Sequence, residues 1–411
     1  MSFTNVRSLL GAFVQCLNLI VRDTPQHHEQ TAFFAFQLAR AMKADRETIH
    51  LTLYTALLYD IGSVVRKDAK TLKASFEGRK TIAATGANLI REVEELAFLG
   101  STIELSQNSY LENRALLGEG NRLDSLQAVH LADFVTSRLT SKTPVLNQVE
   151  NIVQEAESQR GTEFSPKVLD ALLSIRNLEV IWFDAVMNPR VLAYLTGTIQ
   201  EVSLDELVYF TRLVSRLIDY RSPFTAMHSA GVAATARELA KYAGMSADEI
   251  KMMEVAGNLH DIGKLRVPNA ILEKPGKLAE EEFNVMREHT YYTRLILSQV
   301  YGFEKIADWA AYHHEKLNGK GYPFHLTGEQ LDVGARIMAV ADIFSAITED
   351  RPYRSGMRKE HALDVLKDNV ERGEICGWVV KILEEHFDEV NQVRESESRA
   401  AGQRYYQSLG K

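Results

Sequence analysis

A chain of 411 residues, 45% hydrophobic and 25% charged, is too long for one compact core and reads as a globular protein of two or three domains. A net charge of −8 guarantees no broad basic surface, which argues against a nucleic-acid polymer as partner but leaves room for a small anionic ligand held by a few local cations. The two cysteines, Cys16 and Cys376, make no ligand motif and suit a reducing, cytoplasmic setting.

The first element is a helix. Leu9, Leu10, Phe13, Val14, Leu17, Ile20 and Val21 follow helical spacing, with Gln15 and Asn18 between them. This run is too short to cross a bilayer and lacks a small-residue cleavage site, and no other stretch reaches the roughly 18 apolar residues a span needs. No membrane association is expected, and the localisation is expected to be cytoplasmic.

The next segment is one half of a duplication. Thr24–Val65 lies on Thr225–Arg266 without a gap at an offset of 201, so that His27 meets His228 and Tyr59-Asp60-Ile61-Gly62 meets His260-Asp261-Ile262-Gly263. Ala132-Asp133-Phe134 matches Ala341-Asp342-Ile343, and Arg160-Gly161-Thr162-Glu163 resembles Arg372-Gly373-Glu374-Ile375. Chemistry is lost in the first copy. Tyr59 stands for His260, Ser63 for Lys264, Ala83 falls near the place of His289, and no His-His pair appears near Glu104-Leu105. His27 (or His28), Asp60 and Asp133 are too few for a dinuclear site. The first copy is therefore expected to be a metal-free pseudo-domain, a structural and regulatory partner for the second. Gly197 and a short polar stretch place the boundary near Thr196–Asp205, giving domains 1–198 and 199–395 and a solvated tail 396–411.

In the second copy Ser246 and Glu249 form a capping box, and the helix behind them carries Ile250, Met253, Gly257 and His260 on one stripe, with Gly263 closing it. Glu304–His314 reads as another helix. Val333–Thr348 carries Ile337, Val340, Phe344 and Ile347 on its buried side and brings Asp342 inward. Runs of period two are absent, so the fold class is all-α. Five of the 12 histidines fall between His228 and His314, beside apolar helical patterns. His228, His260, Asp261, His289, His313, His314 and Asp342 form a set that helices can bring into a bundle interior around two cations. A carboxylate can bridge two such cations, and a bridged pair can hold a hydroxide in line with phosphorus. Lys264, one turn after Asp261, is placed to meet charge developing on a phosphate; the bland alternative is a solvated helix-end lysine.

The order H…HD…H…HH…D resembles the HD superfamily of metal-dependent phosphohydrolases. His313-His314-Glu315-Lys316-Leu317-Asn318-Gly319-Lys320-Gly321-Tyr322-Pro323 is similar to the signature of its HD-GYP subfamily, as are His260 through Lys264 (HDIGK) and Arg351-Pro352-Tyr353-Arg354. The resemblance is close over about 205–390 and degenerate over the first half. It implies tandem HD-type helical bundles and hydrolysis of cyclic di-GMP to linear pGpG by a metal-activated hydroxide. Iron or manganese is implied, with nickel, cobalt and magnesium as remaining candidates. Carried over by position, His228, His260, Asp261 and Asp342 would hold one metal and His289, His313 and His314 the second, with Asp261 bridging as a catalytic residue beside Lys264. Tyr322, presented by the turn at Gly319, Gly321 and Pro323, would flank a guanine, and Arg351 and Arg354 would engage guanine edges or phosphates. Some members carry a glutamate four residues before the first histidine, for a third metal. Phe224 stands there, so a dinuclear site is expected.

Three alternatives stay open. One is a preference for cyclic GMP-AMP, one a general mononucleotide phosphohydrolase, which the GYP run disfavours, and one a signalling scaffold that binds a dinucleotide or a diguanylate-cyclase-type partner without turnover. The oligomeric state, a homodimer being one option, is also open.

Overall fold

The computed structural model describes residues 3–5, 9, 11, 27–65, 69–73, 75–91, 94–140, 142–187, 189, 201–219, 223–272, 274, 276–350 and 355–408. Most of the expected helix from Leu9 to Val21, part of the boundary region, and both Arg351 and Arg354 lie outside the described residues. The chain divides into two compact units. One is Phe13–Ile199, and the other joins Met1–Ala12 to Gln200–Lys411. Almost every described element is helical; the sheet is a two-residue antiparallel pair, β1 (Thr4–Asn5) with β2 (Glu201–Val202).

The N-terminal unit is built on α1 (His27–Ala41), α2 (Arg46–Leu58), α3 (Ala69–Lys73), α4 (Phe76–Arg91), α5 (Gly100–Leu105) and α6 (Asn121–Arg138). Asp45 starts α2 by accepting the Thr48 amide at 2.8 Å. α1 packs on α2 and α6 through Phe33, Phe34 and Leu38, and Trp182 lies 5.0 Å from the Phe34 ring. Each such fully buried apolar side chain contributes roughly 1.5–3 kcal/mol.

The C-terminal unit repeats the plan with α7 (Leu204–Asp219), α8 (Pro223–Tyr242), α9 (Ala247–Leu259), α10 (Glu280–Leu297), α11 (Glu304–Ala311), α12 (Val333–Thr348) and α13 (Phe387–Ser408). Ser246 occupies the cap that Asp45 holds in the first copy and completes the expected capping box with Glu249. α8 packs on α9, α12 and α13 as α1 packs on α2 and α6. Phe3 lies against Phe303, with ring centroids 6.3 Å apart, so the first residues of the chain belong to this second core.

Three expectations are corrected. α11 ends at Ala311, not His314; the Tyr312 amide closes it on Asp308 O at 2.9 Å, and the two histidines come after it in a turn. Residues 396–408 are not a solvated tail. They continue α13, which packs on α8, and the buried Ser398 hydroxyl donates to Met227 O at 2.9 Å. Gly263 is not the glycine that ends α9. The helix stops at Leu259, and Gly263 sits in a 3-10 turn, Ile262–Arg266, where a Cβ would stand 1.9 Å from His289 O and 2.7 Å from Thr293 N. Backbone approach, not φ, demands glycine there.

Gly62 repeats this contact, its hypothetical Cβ being 2.0 Å from Ile82 O and 2.7 Å from Gly86 N. The counterpart of His289 is therefore Ile82, one residue from the Ala83 suggested by sequence. Since backbone atoms cannot yield, Gly263→Ala should cost about 1–3 kcal/mol or more and shift α10. A denaturant midpoint unchanged from wild type would refute the packing argument.

Candidate metal centre and active site

Local geometry fixes the tautomer of three imidazoles. His260, His289 and His313 each donate Nδ1–H to the carbonyl three residues back: Gly257 at 2.8 Å, Met286 at 2.7 Å and Ala310 at 2.6 Å. A carbonyl only accepts, so each Nε2 is left with a bare lone pair facing the interior. His289 Nε2 and His313 Nε2 stand 3.3 Å apart. Burial lowers His289 to about 3, and it lowers His313 well below the usual imidazole value, the neighbouring His314 adding to the effect. Protonation is thus a poor way to reconcile the facing lone pairs, and a metal cation is a good one.

Asp261 joins the two sides. Its Oδ2 lies 3.3 Å from His260 Nε2 and 2.6 Å from Lys264 Nζ; its Oδ1 lies 3.5 Å from His289 Nε2 and 4.0 Å from His313 Nε2. His260 Nε2 and Asp261 Oδ1 are buried without a hydrogen-bond partner among the described residues. Burial opposes ionisation of Asp261, but His260, Lys264 and His289 hold its carboxyl well below the usual range. Asp342 receives His228 Nε2 at 3.1 Å and lies 3.9 Å from His260 Nε2 and 3.8 Å from His314 Nδ1. Its carboxyl is likewise depressed, against burial, by His228 and His314.

Two donor clusters result: His228, His260 and Asp261, and separately His289, His313 and His314, each with donor atoms within 4.8 Å of one another. Buried oxygen and imidazole donors, with His289, His313 and His314 lowered and the Asp261 and Asp342 carboxyls depressed, suit two divalent cations.

Glu349 went unnoticed in the sequence. It is buried, and its Oε2 lies 3.4 Å from His228 Nδ1. Burial alone would depress His228, yet Asp342 and Glu349 raise it to about 9. A carboxylate behind a ligating imidazole is a recurrent device for orienting it. Only its position at the end of α12, seven residues after Asp342, could have flagged it.

Glu315 holds the turn after the paired histidines, accepting the amides of Phe324 at 2.7 Å and Leu326 at 2.9 Å. Gly321 is buried, and a Cβ there would meet Glu315 Cα at 2.4 Å; packing explains this glycine without any ligand contact. Tyr322 is thereby set at the rim, its ring 5.0 Å from His314 and 6.0 Å from Phe283. The side chain of Phe224 lies outside the described residues, as do Arg351 and Arg354.

The N-terminal copy keeps the frame and changes the contents. His27 Nε2 to Asp133 Oδ1 is 3.1 Å, as His228 to Asp342 is in its sibling. The Tyr59 hydroxyl fills the place of the His260 ring nitrogen, donating to Asp133 at 2.6 Å and lying 2.9 Å from His27 Nε2. Gln107, two residues beyond the end of α5 as His313 is beyond α11, donates to Asp133 Oδ2 at 3.3 Å. Lys73 pairs with Asp60, restoring from α3 the ammonium lost when Ser63 replaced the lysine of the turn.

Comparison with known proteins agrees with this geometry. The HD domain family matches residues 212–375. The 3'3'-cGAMP-specific phosphodiesterase 1 of Vibrio cholerae is 28% identical over 96% of this chain and 94% of that protein. The cyclic di-GMP phosphodiesterase response regulator RpfG of Xanthomonas campestris is 38% identical over 42% of this chain and 46% of its own length. Among solved structures, a cyclic GMP-AMP specific phosphodiesterase of V. cholerae (V-cGAP3) superposes with a TM-score of 0.66 at 22% identity, covering 94% of this chain and 98% of that one, which establishes a shared fold. A helical frame with two clusters of buried imidazoles and carboxylates defines a metal-dependent phosphohydrolase. Residues 212–375 are an HD domain of the HD-GYP-like kind, and the N-terminal unit repeats its frame without the full ligand set. No described helix is long and apolar enough to cross a membrane.

Glu349→Gln should weaken metal retention by roughly 10–100-fold without unfolding the protein; metal analysis after dialysis against a chelator reads this, and unaltered retention would refute the orienting role. Asp133 supplies a second prediction. Although burial opposes it, hydrogen bonds from His27 and Tyr59 depress its carboxyl, so its contribution to stability is present above about pH 4 and lost as pH falls through the lower folded value. Asp133→Asn should flatten the acid limb of a melting-temperature profile, and an unaltered slope would count against the hydrogen bonds of His27 and Tyr59 to Asp133.

Proposed function

We propose that the C-terminal unit is a cyclic dinucleotide phosphodiesterase with two metal ions, and that its preferred substrate is 3'3'-cyclic GMP-AMP and not the cyclic di-GMP suggested by subfamily resemblance. The observation that carries the first part is the face-to-face pair of unprotonated imidazole nitrogens beside a carboxylate whose two oxygens face different clusters. The second part is supported by similarity along nearly the whole chain to a protein named as cGAMP-specific, whereas the match to RpfG is limited to less than half.

His228, His260, Asp261 and Asp342 would hold one cation, and His289, His313 and His314 the other, with Asp261 shared. Two divalent cations supply, when bound, Lewis acidity towards phosphate oxygens and activation of water as nucleophile. The protein's own groups do the rest. Lys264, 2.6 Å from Asp261 Oδ2, holds positive charge at the edge of the site, where a phosphate approaching Asp261 would meet it. Tyr322 offers a ring face at the rim on which a base can stack, and Glu315 fixes the turn that carries it. Burial and the nearby Asp342 and Asp261 raise the Tyr322 hydroxyl, so it remains a neutral hydrogen-bond donor. Arg351 and Arg354 are proposed to contact phosphates or base edges.

Turnover of the three cyclic purine dinucleotides, measured with metal content known, tests this reading. The mixed dinucleotide should exceed cyclic di-GMP in kcat/KM by at least about tenfold, a difference of one or two hydrogen bonds. Equal or reversed values would remove the preference, and no turnover of any substrate by protein carrying two metals would favour a binding scaffold. Asp261→Asn should lose both metal and activity, while Lys264→Ala should keep metal and lose on the order of 10²-fold in kcat. If metal loss accounts for the whole Lys264 effect, the proposed role is wrong. Anaerobically purified protein should hold two ions per chain; three would contradict the dinuclear assignment drawn from Phe224.

A further inference from the structure

The degenerate site of the N-terminal unit is not filled in. A cavity of about 280 Å³ lies there, and the counterparts of four proposed metal ligands, His27, Tyr59, Asp60 and Asp133, line it. Its origin is visible in the substitutions. Ile82 stands where His289 does and Gln107 where His313 does, so the imidazoles that reach inward in one copy are absent from the other.

The charges in this cavity are arranged for an anion. Its acids are already engaged: Asp60 by Lys73 and the Ser63 hydroxyl, Asp133 by Tyr59, His27 and Gln107, and Glu163 by His130 at 2.7 Å. Three cationic side chains, Lys73, Arg79 and Arg138, share the lining. Arg138 is forked on Glu155, at 2.8 and 2.6 Å, and its guanidinium lies flat over Phe134 at 3.4 Å from the ring centroid. It forms a rigid planar platform. Arg79 donates to Lys73 O at 3.3 Å and has no carboxylate partner among the described residues. Three buried lining residues also keep a polar atom without a hydrogen-bond partner among the described residues, His27 Nδ1, Gln107 Oε1 and His130 Nδ1, which is costly unless a ligand or solvent answers it.

We propose that this cavity binds a purine nucleoside monophosphate without metal, its phosphate on Arg79 and Lys73 and its base stacked on the Arg138–Phe134 platform. At about 280 Å³ the cavity lies just below the ~300–1,000 Å³ range of small-molecule sites, which suits one nucleotide and not two joined in a ring. A guanidinium without a carboxylate is the natural phosphate partner, and a guanidinium fixed flat on an aromatic ring stacks a base without regard to its hydrogen-bond pattern. Protein cations would thus do in this copy what metal cations are proposed to do in the other. The proposal does not depend on which cyclic dinucleotide the C-terminal unit hydrolyses, or on whether it hydrolyses one.

Calorimetric titration of the full-length chain, kept in chelator to weaken phosphate binding elsewhere, tests it with GMP, AMP and inorganic phosphate. One site per chain should appear for GMP or AMP, with inorganic phosphate at least tenfold weaker. Arg79→Ala and Arg138→Ala should each lower affinity at least tenfold while leaving the ligand-free melting temperature near wild type, and Asp261→Asn should leave binding unchanged. Both arginines are half-buried, and Arg138→Lys, which keeps charge but loses the flat platform, gives a second reading should alanine disturb folding. Absence of saturable nucleotide binding, equal affinity for phosphate alone, or binding that the arginine variants spare and Asp261→Asn removes would each overturn the proposal.

Discussion

His289 and His313 hold their Nε2 atoms 3.3 Å apart while each spends its Nδ1–H on the carbonyl three residues back. Two acceptors so placed repel, and deep burial makes protonation of either unfavourable. Stability of this arrangement is therefore lent from outside the interaction, by the helices that clamp the rings and by whatever cation enters between them. Much of the C-terminal unit serves that clamp. Gly263 lets the turn after Asp261 touch the backbone of α10 at His289 itself, and the early end of α11 swings His313 and His314 inwards. Asp261 and Asp342 then bring negative charge to both clusters, and Glu349 brings it behind His228.

Helical architecture was legible because apolar periodicity and end signals agree, as in α12, whose limits match the sequence reading residue for residue, and in the Ser246–Glu249 cap. The duplication was legible because both copies preserve the same short words at the same spacing. Ligand candidates could be named from residue type and order, and the structure brings all seven together. What escaped were features that reside in tertiary approach. Nothing local distinguishes a glycine that ends a helix from one that another backbone must touch, so Gly263 was misread. Glu349 carries no motif, since its role depends on α8 presenting His228 beside the end of α12. The C-terminal stretch looked solvated because its polar residues outnumber its apolar ones, yet small residues such as Ser398 and Gly402 let α13 lie close against α8.

The two copies show how a site diverges when its frame is kept. The His27–Asp133 distance equals that of His228–Asp342, and a tyrosine hydroxyl and an amide bond Asp133 where the second copy has histidines around Asp342. Lys73 is the more informative change. The ammonium opposite the aspartate common to both copies is supplied by a different helix from the one that supplies Lys264, which points to a persistent electrostatic need at that carboxylate rather than to inheritance of a particular residue.

The pairing of Thr4–Asn5 with Glu201–Val202, and of Phe3 with Phe303, makes the second unit discontinuous and the first an insertion within it. Closing a loop of that length carries an entropic penalty that grows only logarithmically, so equilibrium tolerates the arrangement. Biosynthesis feels it more. Thr4 and Asn5 must wait for a partner strand made about two hundred residues later, and α8 for the cover that α13 brings later still, whereas the inserted bundle can assemble in the interval.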